Sequence, residues 1–130
     1  MRTLIVDDNP EFSEMLQLAL APFGEADLAV NGTEGFKSFC NALKGDDPYQ
    51  LVCLDINMPM RDGYETIQSI RLMEQKLLLN GALGVKILIV TAFADGFNAK
   101  RAATFGATII SKSEGIDKLI DAVRQLGLAS

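Results

Sequence analysis

Five times along this chain a short apolar run rich in β-branched residues gives way to a stretch with helical spacing. That alternation limits the possible folds more than any other feature. The apolar runs are Thr3-Leu4-Ile5-Val6, a weaker one at 26–30, Leu51-Val52-Cys53-Leu54, one at 85–90 closing on Thr91, and one at 107–111. Each reads as a strand, and the run at 51–54 as one buried in a parallel sheet. Asn9-Pro10 supplies an N-cap and a first-turn proline for the first helix, which carries Phe12, Met15, Leu16 and Ala19 and stops at Pro22 to Gly24. Phe36, Phe39, Cys40 and Leu43 stripe the second helix. A third runs from Tyr64 to about Leu79, carries Ile67 and Ile70, and closes at Asn80-Gly81. The fourth spans 95–105. The last is N-capped by Ser113 and turns Ile116, Leu119, Ile120 and Val123 inward. Strands alternating with helices imply a parallel sheet with helices on both faces, joined by right-handed crossovers. The expectation is one doubly wound α/β domain over 1–130.

Charge and composition remove several function classes. The 130 residues are 48% apolar and 22% charged, and the net charge of -5 argues against a basic nucleic-acid-binding face. No apolar stretch reaches the ~18–20 residues of a membrane helix, and no signal-peptide pattern follows Met1-Arg2. Cys40 and Cys53 read as buried thiols without metal-ligand spacing, which suits a reducing, cytoplasmic setting. The chain has no histidine. Any chemistry must rest on carboxylates, a hydroxyl, a lysine, backbone groups or a metal.

The strand ends carry such groups. Just past the strong strands stand Asp7 and Asp8, then Asp55, then Thr91, then Lys112. A parallel sheet puts all its C-terminal strand ends along one edge, where open α/β sheets bind ligands, so these five side chains can converge. Three carboxylates close together need a counter-charge. Oxygen ligands with neither His nor Cys suit Mg²⁺, which takes one or two carboxylates together with water and phosphate oxygens. A lysine and a hydroxyl opposite the metal would hold the other oxygens of a phosphoryl group and spread its charge.

On these motifs the sequence resembles the receiver domain of two-component response regulators over nearly its whole length. The matching segments are Val6-Asp7-Asp8, Leu54-Asp55-Ile56-Asn57-Met58-Pro59 with Asp62-Gly63, Thr91-Ala92, and Lys112. The resemblance implies the five-stranded flavodoxin-like fold with strand order 2-1-3-4-5. It implies that Asp55 accepts a phosphoryl group from a phosphohistidine on a sensor histidine kinase or histidine phosphotransfer protein. By the same resemblance Asp8 and Asp55 bind Mg²⁺ directly, Asp7 acts partly through water, and Asn57 gives the metal its backbone carbonyl. Lys112, Thr91 and the Ala92 N–H hold phosphoryl oxygens. The missing histidine fits, because it belongs to the donor.

The sequence departs from the family pattern at four places. Ser113 stands where a proline usually follows the lysine. A cis bond before a non-proline residue costs about 3–4 kcal/mol, so the Lys112–Ser113 peptide is expected to be trans. Ile109 stands where an aromatic residue usually lies three before the lysine, and is expected to pack under the last helix. Phe93 lies at the mouth of the site, where its ring either shields an acyl phosphate from water or is partly buried on the fourth helix. Residues 77–86 form a long apolar connection, in which Leu77-Leu78-Leu79 either extend the third helix, the favoured expectation, or make a partner contact.

The leading expectation is a phosphorylation-dependent protein switch, not an enzyme beyond acting on its own phosphoryl group. Its partners would be the phosphodonor and an unknown protein target, with a possible homodimer through the fourth-helix to fifth-helix face around Phe97, Lys100 and Arg101. Two alternatives stand beside it. A phosphatase of the haloacid dehalogenase type also uses an Asp nucleophile and Mg²⁺, but places that Asp after the first strand with a second acid two residues on, where this chain has Asn57. A degenerate receiver would serve only as a binding module. No glycine-rich loop follows the first strand, so a dinucleotide or flavin is not expected. Both a stand-alone receiver and a piece of a longer regulator or hybrid kinase fit a chain that ends at Ser130.

Overall fold

The computed structural model describes residues 1–56, 62–77 and 84–128. Five strands, β1 (Thr3–Val6), β2 (Ala26–Ala29), β3 (Leu51–Leu54), β4 (Lys86–Thr91) and β5 (Thr108–Ser111), form one sheet in the order β2-β1-β3-β4-β5. All four pairings are parallel, with Val6 opposite Leu54 and Leu54 opposite Ile89. The helices are α1 (Pro10–Leu20), α2 (Gly32–Lys44), α3 (Gly63–Lys76), α4 (Gly96–Thr104) and α5 (Ile116–Gln125). This is the expected flavodoxin-like architecture.

Strand alternation divides the core into two layers. Leu4, Val6, Val52, Leu54, Ile87 and Ile89 face one way and pack with Phe39, Ile67, Ile70 and Ala102 from α2, α3 and α4. Ile5, Leu51, Cys53, Leu88 and Val90 face the other way and meet Leu16 and Leu20 of α1 and Leu119 and Val123 of α5. Residues of β1 and β3 are buried on both faces, which is why those strands are unbroken apolar runs.

Side-chain caps set the helix starts. Asn9, Asn31, Asp62 and Asp95 each accept a backbone N–H three residues on, from Phe12, Glu34, Glu65 and Asn98. The last helix departs from expectation. Ser111, not Ser113, is the capping residue: it accepts the Ser113 N–H and forms a capping box with Glu114 over a single 3₁₀ turn. Gly115 (φ 88°) then begins α5 with no side-chain cap. The turn uses up the serine that the pattern assigned to the helix. The Lys112–Ser113 peptide is trans.

Three other expectations change. Ile109 does not lie under α5. It packs on the α3–α4 layer, and Ile110 turns toward α5, because neighbours on a strand point to opposite faces. Cys40 is only half-buried, because Gly35, Phe39 and Ala42 centre the inward face of α2 and leave Cys40 on its flank. On α1 the buried residues are Ser13, Leu16 and Leu20, and Met15 is exposed. α3 begins at Gly63 and ends at Lys76, where Leu77 is its C-cap. The expected extension through Leu78 and Leu79, and the closure at Asn80-Gly81, lie outside the described residues. Among the described residues no helix is long and apolar enough to cross a membrane.

α3 also fastens α4. Arg71 donates through Nε to the Phe105 carbonyl (2.8 Å) and through Nη1 to Glu74 (2.7 Å) and the Val85 carbonyl (3.0 Å). Glu74 in turn accepts the Val85 N–H at 2.6 Å. A buried acid and its cation thus fix the entry to β4 and the exit from α4.

Candidate functional site

At the C-terminal edge of the sheet Asp7 directly follows β1 and Asp55 directly follows β3. The Asp7 N–H donates to the Ala29 carbonyl (3.0 Å) and the Asp55 N–H to the Val6 carbonyl (3.1 Å), so the ladder continues through both acids and holds them side by side. Both are buried. Lys112, just past β5, reaches across: its Nζ lies 2.8 Å from Asp7 Oδ2 and 3.0 Å from Asp55 Oδ2. The ammonium also sits 4.5 Å from the centre of the Phe12 ring, so α1 covers it on one side. Thr91, the last residue of β4 and opposite Ser111 of β5, is buried and accepts the Phe93 N–H on Oγ1 at 3.2 Å.

The electrostatics of this group conflict. Burial pushes the Asp7 carboxyl above its usual range, although Lys112 and the Asn9 N–H (2.9 Å) both pull it down. Burial works against the Lys112 ammonium as well, but the hydrogen bonds and charges of Asp7 and Asp55 outweigh it and leave its pKa raised. One cation is shared by two buried anions.

Of the five side chains expected to converge, the structure joins Asp7, Asp55 and Lys112, and Thr91 is buried at the end of the neighbouring strand β4. Asp8 is exposed: Asp7 turns inward and its neighbour turns out. Among the described residues no cluster of three acidic or sulfur-bearing side chains is arranged to hold a metal. Asn57 lies outside the described residues. The donor chemistry nevertheless suits a hard divalent cation. The side chains here offer only oxygen, and Asp7, Asp8 and Asp55 against Lys112 leave an excess of negative charge that such an ion would balance.

Gly63 supports the site from below. Its N–H donates to the Ile56 carbonyl at 3.3 Å, and a Cβ placed on it would stand 2.5 Å from the Asp55 carbonyl oxygen and 2.6 Å from the Ile56 Cα. The start of α3 therefore lies directly against the backbone of the acid. Sequence reading found Asp62-Gly63 as a motif but missed its neighbour. Tyr64 donates its hydroxyl to Asn98 Oδ1 (2.9 Å), and Arg101 stacks 4.0 Å from its ring centre. The only trace of this in the sequence is a tyrosine at the second position of a helix. Phe97 is 73% exposed and Phe93 53%.

Known proteins resemble the chain along nearly its whole length. A family model described as the response regulator receiver domain matches residues 3–124. A solved structure of the response regulator protein TrrA from Thermotoga maritima, in complex with Mg²⁺ and BeF, is 32% identical; the match covers 96% of this chain and 97% of that one with a TM-score of 0.76. The CheX-CheY-BeF3-Mg complex from Borrelia burgdorferi shares the fold at a TM-score of 0.82 with 23% identity, over 97% of this chain and 88% of that one. A probable chemotaxis protein CheY from Rhizobium etli is 29% identical over 95% of this chain and 89% of its own length. Other relatives are longer: the chain spans 50% of a transcriptional regulatory protein DltR from Streptococcus agalactiae and 6% of a hybrid signal transduction histidine kinase F from Dictyostelium discoideum. The chain belongs to the response regulator receiver domain family.

Proposed function

We propose that the chain is a phosphorylation-controlled switch whose acceptor is Asp55. The observation that carries this reading is the Lys112 ammonium bridging Asp55 and Asp7, two buried carboxylates at adjacent strand ends. An Asp55 oxygen attacks the phosphorus of a phosphohistidine on a sensor histidine kinase or histidine phosphotransfer protein. The P–O bond to Asp55 forms as the P–N bond breaks, and the departing imidazole nitrogen takes up a proton. Lys112 and the Thr91 hydroxyl, with the Ala92 N–H, hold the oxygens of the transferred group.

Mg²⁺ is the proposed cofactor, held by Asp8, Asp55 and the Asn57 carbonyl, with Asp7 acting through water; when bound, it neutralises charge on the phosphoryl oxygens. The solved relatives described with Mg²⁺ support the assignment. The half-exposed Phe93 ring shields the acyl phosphate, and Phe93→Ala shortens its lifetime. Phosphorylation changes contacts with a protein target or a second copy, and the exposed Phe97 on α4 suits such a contact. The free thiols Cys40 and Cys53 suit a reducing cytoplasm.

The test is incubation with Mg²⁺ and acetyl phosphate, followed by intact mass. The wild type gains one phosphoryl mass and Asp55→Asn gains none. No adduct on the wild type, or an equal adduct on Asp55→Asn, rules out the assignment. Repeated turnover of a small phosphomonoester would favour a phosphatase instead.

A further inference from the structure

A line of hydrogen bonds leaves the site and ends in α4. Thr91 Oγ1 accepts the Phe93 N–H at 3.2 Å. The Phe93 carbonyl accepts from Asn98 Nδ2 at 2.8 Å. Asn98 presents Oδ1 to the Tyr64 hydroxyl at 2.9 Å, and its backbone carbonyl lies 3.2 Å from the same hydroxyl. Tyr64 follows Gly63, whose N–H meets the Ile56 carbonyl one residue past Asp55. The circuit therefore begins at the end of β3, crosses α3 and α4, and returns to the end of β4.

Two features make this circuit responsive. Asn98 uses both ends of its amide, donating to Phe93 and accepting from Tyr64, so a loss on one side removes the reason for its orientation on the other. Tyr64 is 5% exposed, so its hydroxyl has little water to turn to. Arg101 covers the ring face at 4.0 Å and so ties a second turn of α4 to the same side chain. Ile109, which packs on this face of the sheet, has no polar side-chain atom and cannot join such a circuit.

We propose that Tyr64 and Asn98 are the pair through which α4 registers the state of Thr91, an inference that rests on Asp55 as phosphoryl acceptor. A phosphoryl oxygen on Asp55 draws the Thr91 hydroxyl toward it and away from the Phe93 N–H. The turn at 93–95 then shifts, its carbonyl leaves Asn98 Nδ2, and the amide gives up Tyr64. The first turns of α4 are released from α3, while Arg71 still holds the far end of α4 at Phe105.

Hydrogen–deuterium exchange of the α4 amides tests this, with and without acetyl phosphate and Mg²⁺, and with intact mass recording the adduct. In the wild type, phosphorylation speeds exchange at 98–101 by roughly tenfold, the effect expected for one lost buried hydrogen bond. Tyr64→Phe keeps the ring under Arg101 but exchanges fast before phosphorylation, and the adduct then changes it little. Asn98→Ala, at a more exposed position, behaves the same way and serves if Tyr64→Phe folds poorly. Tyr49→Phe, at the opposite edge of the sheet, keeps the wild-type response. Normal adducts with equal α4 responses in wild type, Tyr64→Phe and Asn98→Ala would overturn the coupling and leave the acceptor reading intact. A wild type that takes no adduct removes both.

Discussion

The sheet carries an ionic cluster at each end, and in both clusters two carboxylates share one cation. At the N-terminal edge Arg2 pairs with Asp27 (3.1 Å) and Asp47 (3.4 Å), and Asp27 also accepts the Tyr49 hydroxyl at 2.6 Å. At the C-terminal edge Lys112 pairs with Asp7 and Asp55. Exposure separates the two. The side chains of Asp27 and Asp47 keep 47% and 74% of their exposure, whereas Asp7 and Asp55 keep 3% and 9%. Water solvates the surplus charge at the lower end, and the guanidinium adds a ring contact with Tyr49 at 4.3 Å. At the upper end the surplus is buried and the cation is a single point charge that can change partners. The same charge pattern fastens the chain where it is wet and concentrates buried charge where it is dry.

The largest expected effect is on chemistry. Lys112→Ala should slow adduct formation from acetyl phosphate by roughly 100-fold, as expected for loss of a preorganised charge, while Arg2→Ala should leave the rate within about twofold. A wild-type rate in Lys112→Ala, or a comparable loss in Arg2→Ala, would erase the distinction. Next is Gly63→Ala, which forces the backbone beneath the upper cluster to shift and should cost about 2 kcal/mol in a urea titration. No loss there would mean that the start of α3 gives way without disturbing Asp55. Arg2→Ala should cost about 1 kcal/mol, through partly exposed ion pairs and the Tyr49 contact.

The smallest effect has the opposite sign. The Asp7 pKa is raised in the folded state, so the folded chain holds that proton more tightly than the unfolded one. Its contribution to stability is fully present below the ordinary value of 3.8 and is lost as pH rises through the folded value. At neutral pH the ionised Asp7 is therefore a burden. Asp7→Asn should raise Tm by ~2–4 °C and flatten its dependence on pH, while Asp27→Asn should not raise it. A lower Tm in Asp7→Asn would show that its ion pair outweighs its burial.

Much of this arrangement could be read from the sequence, for a specific reason. Strands buried on both faces are apolar throughout, so β1 and β3 stand out and the acids that follow them are conspicuous. The same uniformity hides the phase of each strand. Nothing in Val6-Asp7-Asp8 says which acid turns inward, and nothing in Ile109-Ile110 says which isoleucine meets α5. The cap of the last turn was missed because Ser111 and Ser113 are equivalent as residue types, and only the 3₁₀ turn between them decides. Tyr64 with Asn98, and Arg71 with Phe105, are pairs 34 residues apart, and the Arg2 contacts reach Asp27 25 residues away. Long-range pairs of this kind leave no local pattern.

β5 lies at the edge of the sheet and, among the described residues, pairs with β4 alone. The cation of the site is attached to its end, so the group that balances Asp7 and Asp55 belongs to an edge strand, the last strand of the sheet to be synthesised, whereas the two acids follow the inner strands β1 and β3. A growing chain has both acids long before it has their ammonium. In the finished protein, fraying of one marginal strand suffices to withdraw Lys112 while β1 and β3 stay closed. The order of synthesis and the order of loosening thus mirror each other: the charge that arrives last is also the first that can leave.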